Sequence, residues 1–101
     1  MEKRLSERVC MRCNTSIITK DGNFNGTIEN MSMGGFFLST DKQLEMGYKI
    51  EIGIPLQNKL RNVIANATVV RIEDDGVAFK FDNMALYNYW SLHTYLNYLN
   101  A

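Results

Sequence analysis

The sequence predicts a small, mainly β domain, a barrel or a sandwich, followed by a single C-terminal helix. Three observations predict it. Short segments between Arg8 and Phe81 alternate polar and apolar residues with a period of two. Turn-forming residues separate them at short intervals: Lys20-Asp21-Gly22-Asn23, Gly34-Gly35, Met46-Gly47 and Asp74-Asp75-Gly76. From Met84 onward the apolar period lengthens to three and four residues. At 101 residues the chain is one domain, and its 46% hydrophobic content suffices for a modest core.

Residues 8–19 form the first strand, with Val9, Met11, Cys13, Thr15 and Ile17 on one face and Arg8, Cys10, Arg12, Asn14 and Ser16 on the other. Asp21-Gly22 favours a positive φ and turns the chain into a second strand, Phe24 to Ser32. Gly34-Gly35 interrupts, allowing a positive φ or a close approach, and Phe36–Ser39 is a short third strand. Residues 40–47 connect to a fourth, in which Tyr48, Ile50, Ile52 and Ile54 alternate with polar residues until Pro55 ends it. Residues 61–72 form a long fifth strand with Val63, Ala65, Ala67 and Val69 on one face. The sixth carries Val77, Phe79 and Phe81 inward. Ala85, Tyr89, Leu92, Leu96 and Leu99 then form the buried stripe of a helix over 84–99, capped by Asp82 or Asn83.

The charge balance is neutral, with 11 basic and 11 acidic residues. No global field draws the chain to a nucleic acid polymer or an anionic membrane. No basic start is followed by an apolar h-region, and no apolar run approaches the ~20 residues of a membrane span. A soluble, cytoplasmic protein without membrane insertion is expected. Cys10 and Cys13 form a lone C-x-x-C; only His93 could join them, too few for a structural zinc site, and on a strand they face opposite ways. Two ordinary reduced thiols and no metal are expected. Ser32 has no histidine near it in the pattern, His93 sits among helix aromatics, and Asp74-Asp75 reads as a solvated turn. The chain is therefore expected not to be an enzyme.

Two motifs remain. Arg4 and Arg8 form R-x-x-x-R; after 21 intervening residues come Asn30, Ser32 and Gly35 as N-x-S-x-x-G. On a strand Asn30 and Ser32 share the outer side while Met31 and Met33 face the core. Both motifs, in this order and on this strand pattern, resemble the PilZ domain, the bacterial receptor family for cyclic di-GMP. Gly35-Phe36-Phe37-Leu38, Val69-Val70-Arg71 and Gly76–Phe81 are similar to the family's later strands. The resemblance implies a six-stranded antiparallel β-barrel over 9–82 with a C-terminal helix; residues 1–8, polar, terminal and without a core-facing pattern, are expected to be flexible. It implies a cyclic di-GMP ligand bound by Arg4, Arg8, Asn30, Ser32 and Gly35.

The residue types suit that ligand. An arginine offers a charged planar fork to phosphate or to guanine O6 and N7. Asparagine and serine can both donate and accept at guanine edges. Gly35 would admit a flat ligand where a Cβ would collide. With no output domain in sight, occupancy would be relayed to an effector protein in trans. From Met84 to Ala101 there is no charged residue, and Tyr87, Trp90, Tyr95 and Tyr98 lie off the buried stripe. They are expected to form an interface for an effector or a homodimer. Two other readings are a PilZ-like adaptor that binds no nucleotide and a small-barrel RNA or single-stranded DNA binder. Neutral charge and the lack of a basic, aromatic-studded strand face weigh against the latter.

Overall fold

A computed structural model describes residues 9–55 and 62–99. Arg4 and Arg8 lie outside the described residues, as does the rest of the 1–8 segment. The elements are β1 (Val9–Thr19), β2 (Gly22–Met31), β3 (Gly35–Ser39), β4 (Lys49–Pro55), β5 (Asn62–Glu73), β6 (Gly76–Phe81) and α1 (Leu86–Leu99). The six strands close into an antiparallel barrel in the order β1-β2-β3-β6-β5-β4. The barrel closes where β4 meets β1, with Ile17 opposite Ile52 and Ile18 opposite Glu51.

The alternating residues account for the core. Ile17, Ile28, Ile52, Ile54, Val63, Ala65, Ala67 and Val69 are buried inside the barrel. Phe36 stacks on Phe79 with centroids 4.9 Å apart and lies 5.4 Å from Phe81. Thr15 of β1 is buried, and its hydroxyl donates to the Gly53 carbonyl at 2.8 Å. That bond satisfies the hydroxyl where β1 meets β4. The β1–β2 turn follows the Asp-Gly expectation: Gly22 has φ +125°, and the Thr19 hydroxyl donates to the Gly22 carbonyl at 2.7 Å. Tyr48 donates to Asp21 at 2.6 Å, tying this turn to the start of β4.

Four expectations are corrected. The second strand begins at Gly22 and ends at Met31, so Ser32 is not part of it. The alternation of residues 8–19 is broken, because the β1–β2 register slips between Cys10 and Cys13. Neither Gly34 nor Gly35 has a positive φ; Gly22 and Gly47 are the glycines that do among the described residues. Finally, the helix starts at Leu86, and its first turn is closed by the Tyr89 N–H donating to the Ala85 carbonyl at 2.9 Å. Ala85 therefore stands at the N-cap with no side-chain acceptor, and it is exposed rather than part of the buried stripe. Asp82 cannot cap: it directly follows β6 and is still bonded to β5. Its N–H donates to the Asn66 carbonyl at 2.9 Å, and its carboxylate accepts from Thr68 at 2.6 Å.

Leu92 and Leu96 are buried under α1, with Met84 and Leu99 partly buried beside them. The Asn88 amide donates to the Ile64 carbonyl at 3.3 Å, fastening the helix to β5. Among the described residues, no helix is long and apolar enough to cross a membrane.

Candidate functional site

The candidate site lies where β2 runs into β3. Ile28 pairs with Leu38, but Asn30 pairs with Phe37 and Met31 with Phe36, so one residue of β2, Glu29, is surplus against β3. Ile28 and Met31 are both buried, as are Leu38 and Phe36. Strict alternation would place Asn30 with Ile28 inside and Met31 outside. The bulge reverses this, putting Met31 in the core and Asn30 beside half-buried Phe37 on the outer face.

Ser32 does something other than share that face. It is 3% exposed and sits in the turn between the strands. Its N–H donates to the Gly35 carbonyl at 2.8 Å, and its hydroxyl oxygen accepts from the Gly34 N–H at 3.1 Å. The Gly34 carbonyl in turn accepts from the Phe81 N–H at 2.9 Å. Ser32 thus shapes the loop, as short hydroxyl side chains do in turns. The expectation of an amide and a hydroxyl side by side outside the strand is corrected on this point.

Gly35 also has a different reason. A Cβ there would lie 2.0 Å from the Phe79 carbonyl oxygen, inside the β3–β6 pairing. The close approach that excludes a side chain is to the protein's own backbone. Gly34 is the open position, where a Cβ would meet only the Ser32 hydroxyl at 3.7 Å.

A cluster that the motif reading missed lies on the same outer face. Arg12 Nη1 pairs with Glu29 Oε1 at 2.8 Å, and the Ser39 hydroxyl donates to Glu29 Oε2 at 2.7 Å. The three side chains bridge β1, β2 and β3. A possible signal was Arg12 standing four residues after Arg8, but nothing in an alternating pattern marks where a strand will bulge. Farther along this face, Asn14, Ser16, Asn25, Thr27, Thr40 and Asp41 help to line an open polar hollow of about 690 Å³.

Cys13 pairs with Ile28 and is partly buried against the core, and burial pushes its thiol above the ordinary range. Tyr95 is half-buried, and burial, then the nearby Cys13, pushes its phenol up. Of the four helix aromatics expected outside, Tyr87, Trp90 and Tyr98 are exposed, together with Leu86, whereas Tyr95 turns partly toward the barrel. Among the described residues no three His, Cys, Asp or Glu side chains group as a metal site would need.

The PilZ domain profile matches residues 2–97. The PilZ domain of CeSA from a cellulose-synthesizing bacterium is similar, with 21% identity, a TM-score of 0.74, and coverage of 95% of this chain and 100% of its own. The inhibitor of motility MotI/DgrA of Bacillus subtilis superposes with a TM-score of 0.76 at 18% identity, covering 97% of this chain and 51% of its own. An uncharacterized Legionella protein follows with a TM-score of 0.61 and 14% identity over 93% of this chain and 94% of its own. At these identities the structural likeness is one of fold. No curated protein sequence matches the chain.

Proposed function

This chain belongs to the PilZ domain family, and we therefore propose that it is a non-catalytic receptor for cyclic di-GMP in the bacterial cytoplasm. The family is one of cyclic di-GMP receptors. The observation that carries the proposal for this chain is the β2 bulge. It turns the motif residue Asn30 to the outer face, directly before a turn held by Ser32, Gly34 and Gly35. A rigidly held polar edge of this kind suits a flat, guanine-bearing ligand. In this reading Asn30 reads a guanine edge, Ser32 and Gly35 fix the loop that presents it, and Arg4 and Arg8 close over the phosphates from the preceding segment.

Occupancy passes to another protein through the outer face of α1. The exposure of Leu86, Tyr87, Trp90 and Tyr98 on a helix without charge favours this. The same face would serve a homodimer. An adaptor that binds no nucleotide would use it too, and the two readings part on the ligand alone.

The test is calorimetric titration of the protein with cyclic di-GMP, with GTP and a single-stranded oligonucleotide as controls. Saturable binding of cyclic di-GMP alone is expected. Heat from the oligonucleotide instead would favour a nucleic-acid binder. Silence with all three would leave the adaptor reading.

A further inference from the structure

Arg12 has φ +42°, the one positive value at a non-glycine among the described residues. A left-handed backbone at a residue with a Cβ is uncommon and persists where its surroundings hold it. Two irregularities hold it here. The β1–β2 register slips between Cys10 and Cys13, which sets Met11 and Arg12 against the single residue Glu29. The β2–β3 register slips between Ile28 and Asn30, which makes that same Glu29 surplus against β3. The second slip brings Asn30 to the outer side directly after Glu29. A carboxylate therefore stands next to the amide that faces the proposed ligand.

An anionic ligand arriving at Asn30 meets this carboxylate. Both of its oxygens are occupied, Oε1 by Arg12 at 2.8 Å and Oε2 by the Ser39 hydroxyl at 2.7 Å. It is therefore already engaged and poorly placed to read a base. Of the two partners only Arg12 brings a positive charge. Its side chain is 77% exposed and spans the strands rather than packing against them.

We infer that Arg12 is a positioning residue of the nucleotide face, whose task is to neutralise Glu29. Left bare, Glu29 would repel the phosphates. This inference rests on the cyclic di-GMP reading and adds to it a residue outside both motifs.

A charge-exchange cycle tests it, with cyclic di-GMP affinity measured by calorimetry. Arg12→Gln removes the charge while keeping a side chain able to donate to Glu29. It should weaken binding about three- to tenfold in low salt, and the deficit should shrink in about 0.5 M NaCl, where exposed charges are screened. Arg12→Lys should keep most of the affinity. Glu29→Gln should bind at least as tightly as the unchanged protein, and Arg12→Gln/Glu29→Gln should match Glu29→Gln. Rescue in the double variant is what a merely structural Arg12 would not give. Thermal melts accompany each variant; if Arg12→Gln fails to fold, weaker binding by well-folded Glu29→Gln still overturns the inference. A double variant as weak as Arg12→Gln alone, or an Arg12→Gln that binds normally, overturns it as well. If the unchanged protein binds no cyclic di-GMP, the proposed function fails and takes this inference with it.

Discussion

Gly35 approaches Phe79 so closely that a Cβ on the glycine would lie 2.0 Å from the phenylalanine's carbonyl oxygen. The contact is between paired backbones, Gly35 opposite Lys80 and Phe36 opposite Phe79, so no side chain can move aside to relieve it. β3 carries Phe36 and Leu38 into the core, and a displaced β3 would take both with it. Gly35→Ala is therefore expected to destabilise the fold by about 2–4 kcal/mol, in the range of strained core substitutions. Gly34→Ala should cost less than about 1 kcal/mol, since a Cβ there would meet only the Ser32 hydroxyl, at an ordinary contact distance of 3.7 Å. Urea unfolding of the two variants checks this. It also separates a motif glycine needed for the barrel from one needed for the ligand.

Arg8→Ala should weaken cyclic di-GMP binding by more than tenfold, and Arg4→Ala nearly as much. Removing one member of a hydrogen-bonded charge pair costs about 2–5 kcal/mol where the pair is desolvated. Calorimetry measures the loss, and an unchanged melting temperature would locate it in the site. Hydrogen exchange gives an independent reading: the amides of Leu5, Ser6 and Arg8 should exchange more slowly with ligand than without. A double Arg4→Ala/Arg8→Ala variant that binds normally would remove the clamp from the mechanism.

Asn30→Ala and Ser32→Ala should fail differently, because one side chain faces outward and the other is buried. Asn30→Ala should narrow the discrimination between cyclic di-GMP and cyclic di-AMP, which share a phosphate ring and differ in their base edges. Ser32→Ala removes the acceptor of the Gly34 N–H, a loss of about 1–2 kcal/mol. It should lower affinity for both nucleotides together and reduce thermal stability. Parallel titrations with the two nucleotides distinguish these outcomes.

The difference between those two residues marks where the sequence stops being informative. Alternation at Ile50, Ile52 and Ile54, or at Val63, Ala65, Ala67 and Val69, is a direct record of a half-buried strand, and all seven side chains are buried. Periodicity leaves a barrel and a sandwich open; the six-stranded barrel comes through the family resemblance. Asn30 is legible as a motif letter, but its outward placement depends on Glu29 being surplus. No residue type announces that, and the left-handed residue across from it is an arginine where a glycine would have been the usual sign. Ser32 reads as strand because it continues the alternation; two hydrogen bonds in a tight turn decide otherwise. The helix start is misread for a related reason: Asp82 is a good cap by type, and Thr68 holds it against β5.

Cys13 gives a pH dependence with a definite sign. Burial raises its thiol above the ordinary range, so the folded state favours the neutral form more than the unfolded chain does. The stabilisation is fully present below the unfolded pKa, roughly 8.5, and is lost as pH rises through the higher folded value. Stability compared between the unchanged protein and Cys13→Ala should show a difference that is flat from about pH 6 to 8 and shrinks above about pH 9. Alkylation of Cys13 by iodoacetamide at neutral pH should be slower than for an unfolded control. An equal rate would mean that the thiol is not shielded.

Trp90 tests what the helix is for. Trp90 is 55% exposed, and its ring meets Tyr89 and His93 of the same helix edge-on, with centroids 5.7 and 5.6 Å away. Leu92 and Leu96 are the buried side chains of the helix, whereas Trp90 is among its exposed ones. Trp90→Glu should therefore change stability by no more than about 1 kcal/mol and leave cyclic di-GMP affinity within about twofold. A glutamate among Leu86, Tyr87 and Tyr98 would instead put a charge at the centre of a face that has none. If this face joins two copies, sedimentation velocity should show concentration-dependent association of the unchanged protein and a monomer for Trp90→Glu. If both sediment as monomers with or without ligand, the homodimer is excluded and the face is left to an effector. A large loss of stability would mean that the aromatic side belongs to the folded core of the helix and is not an interface.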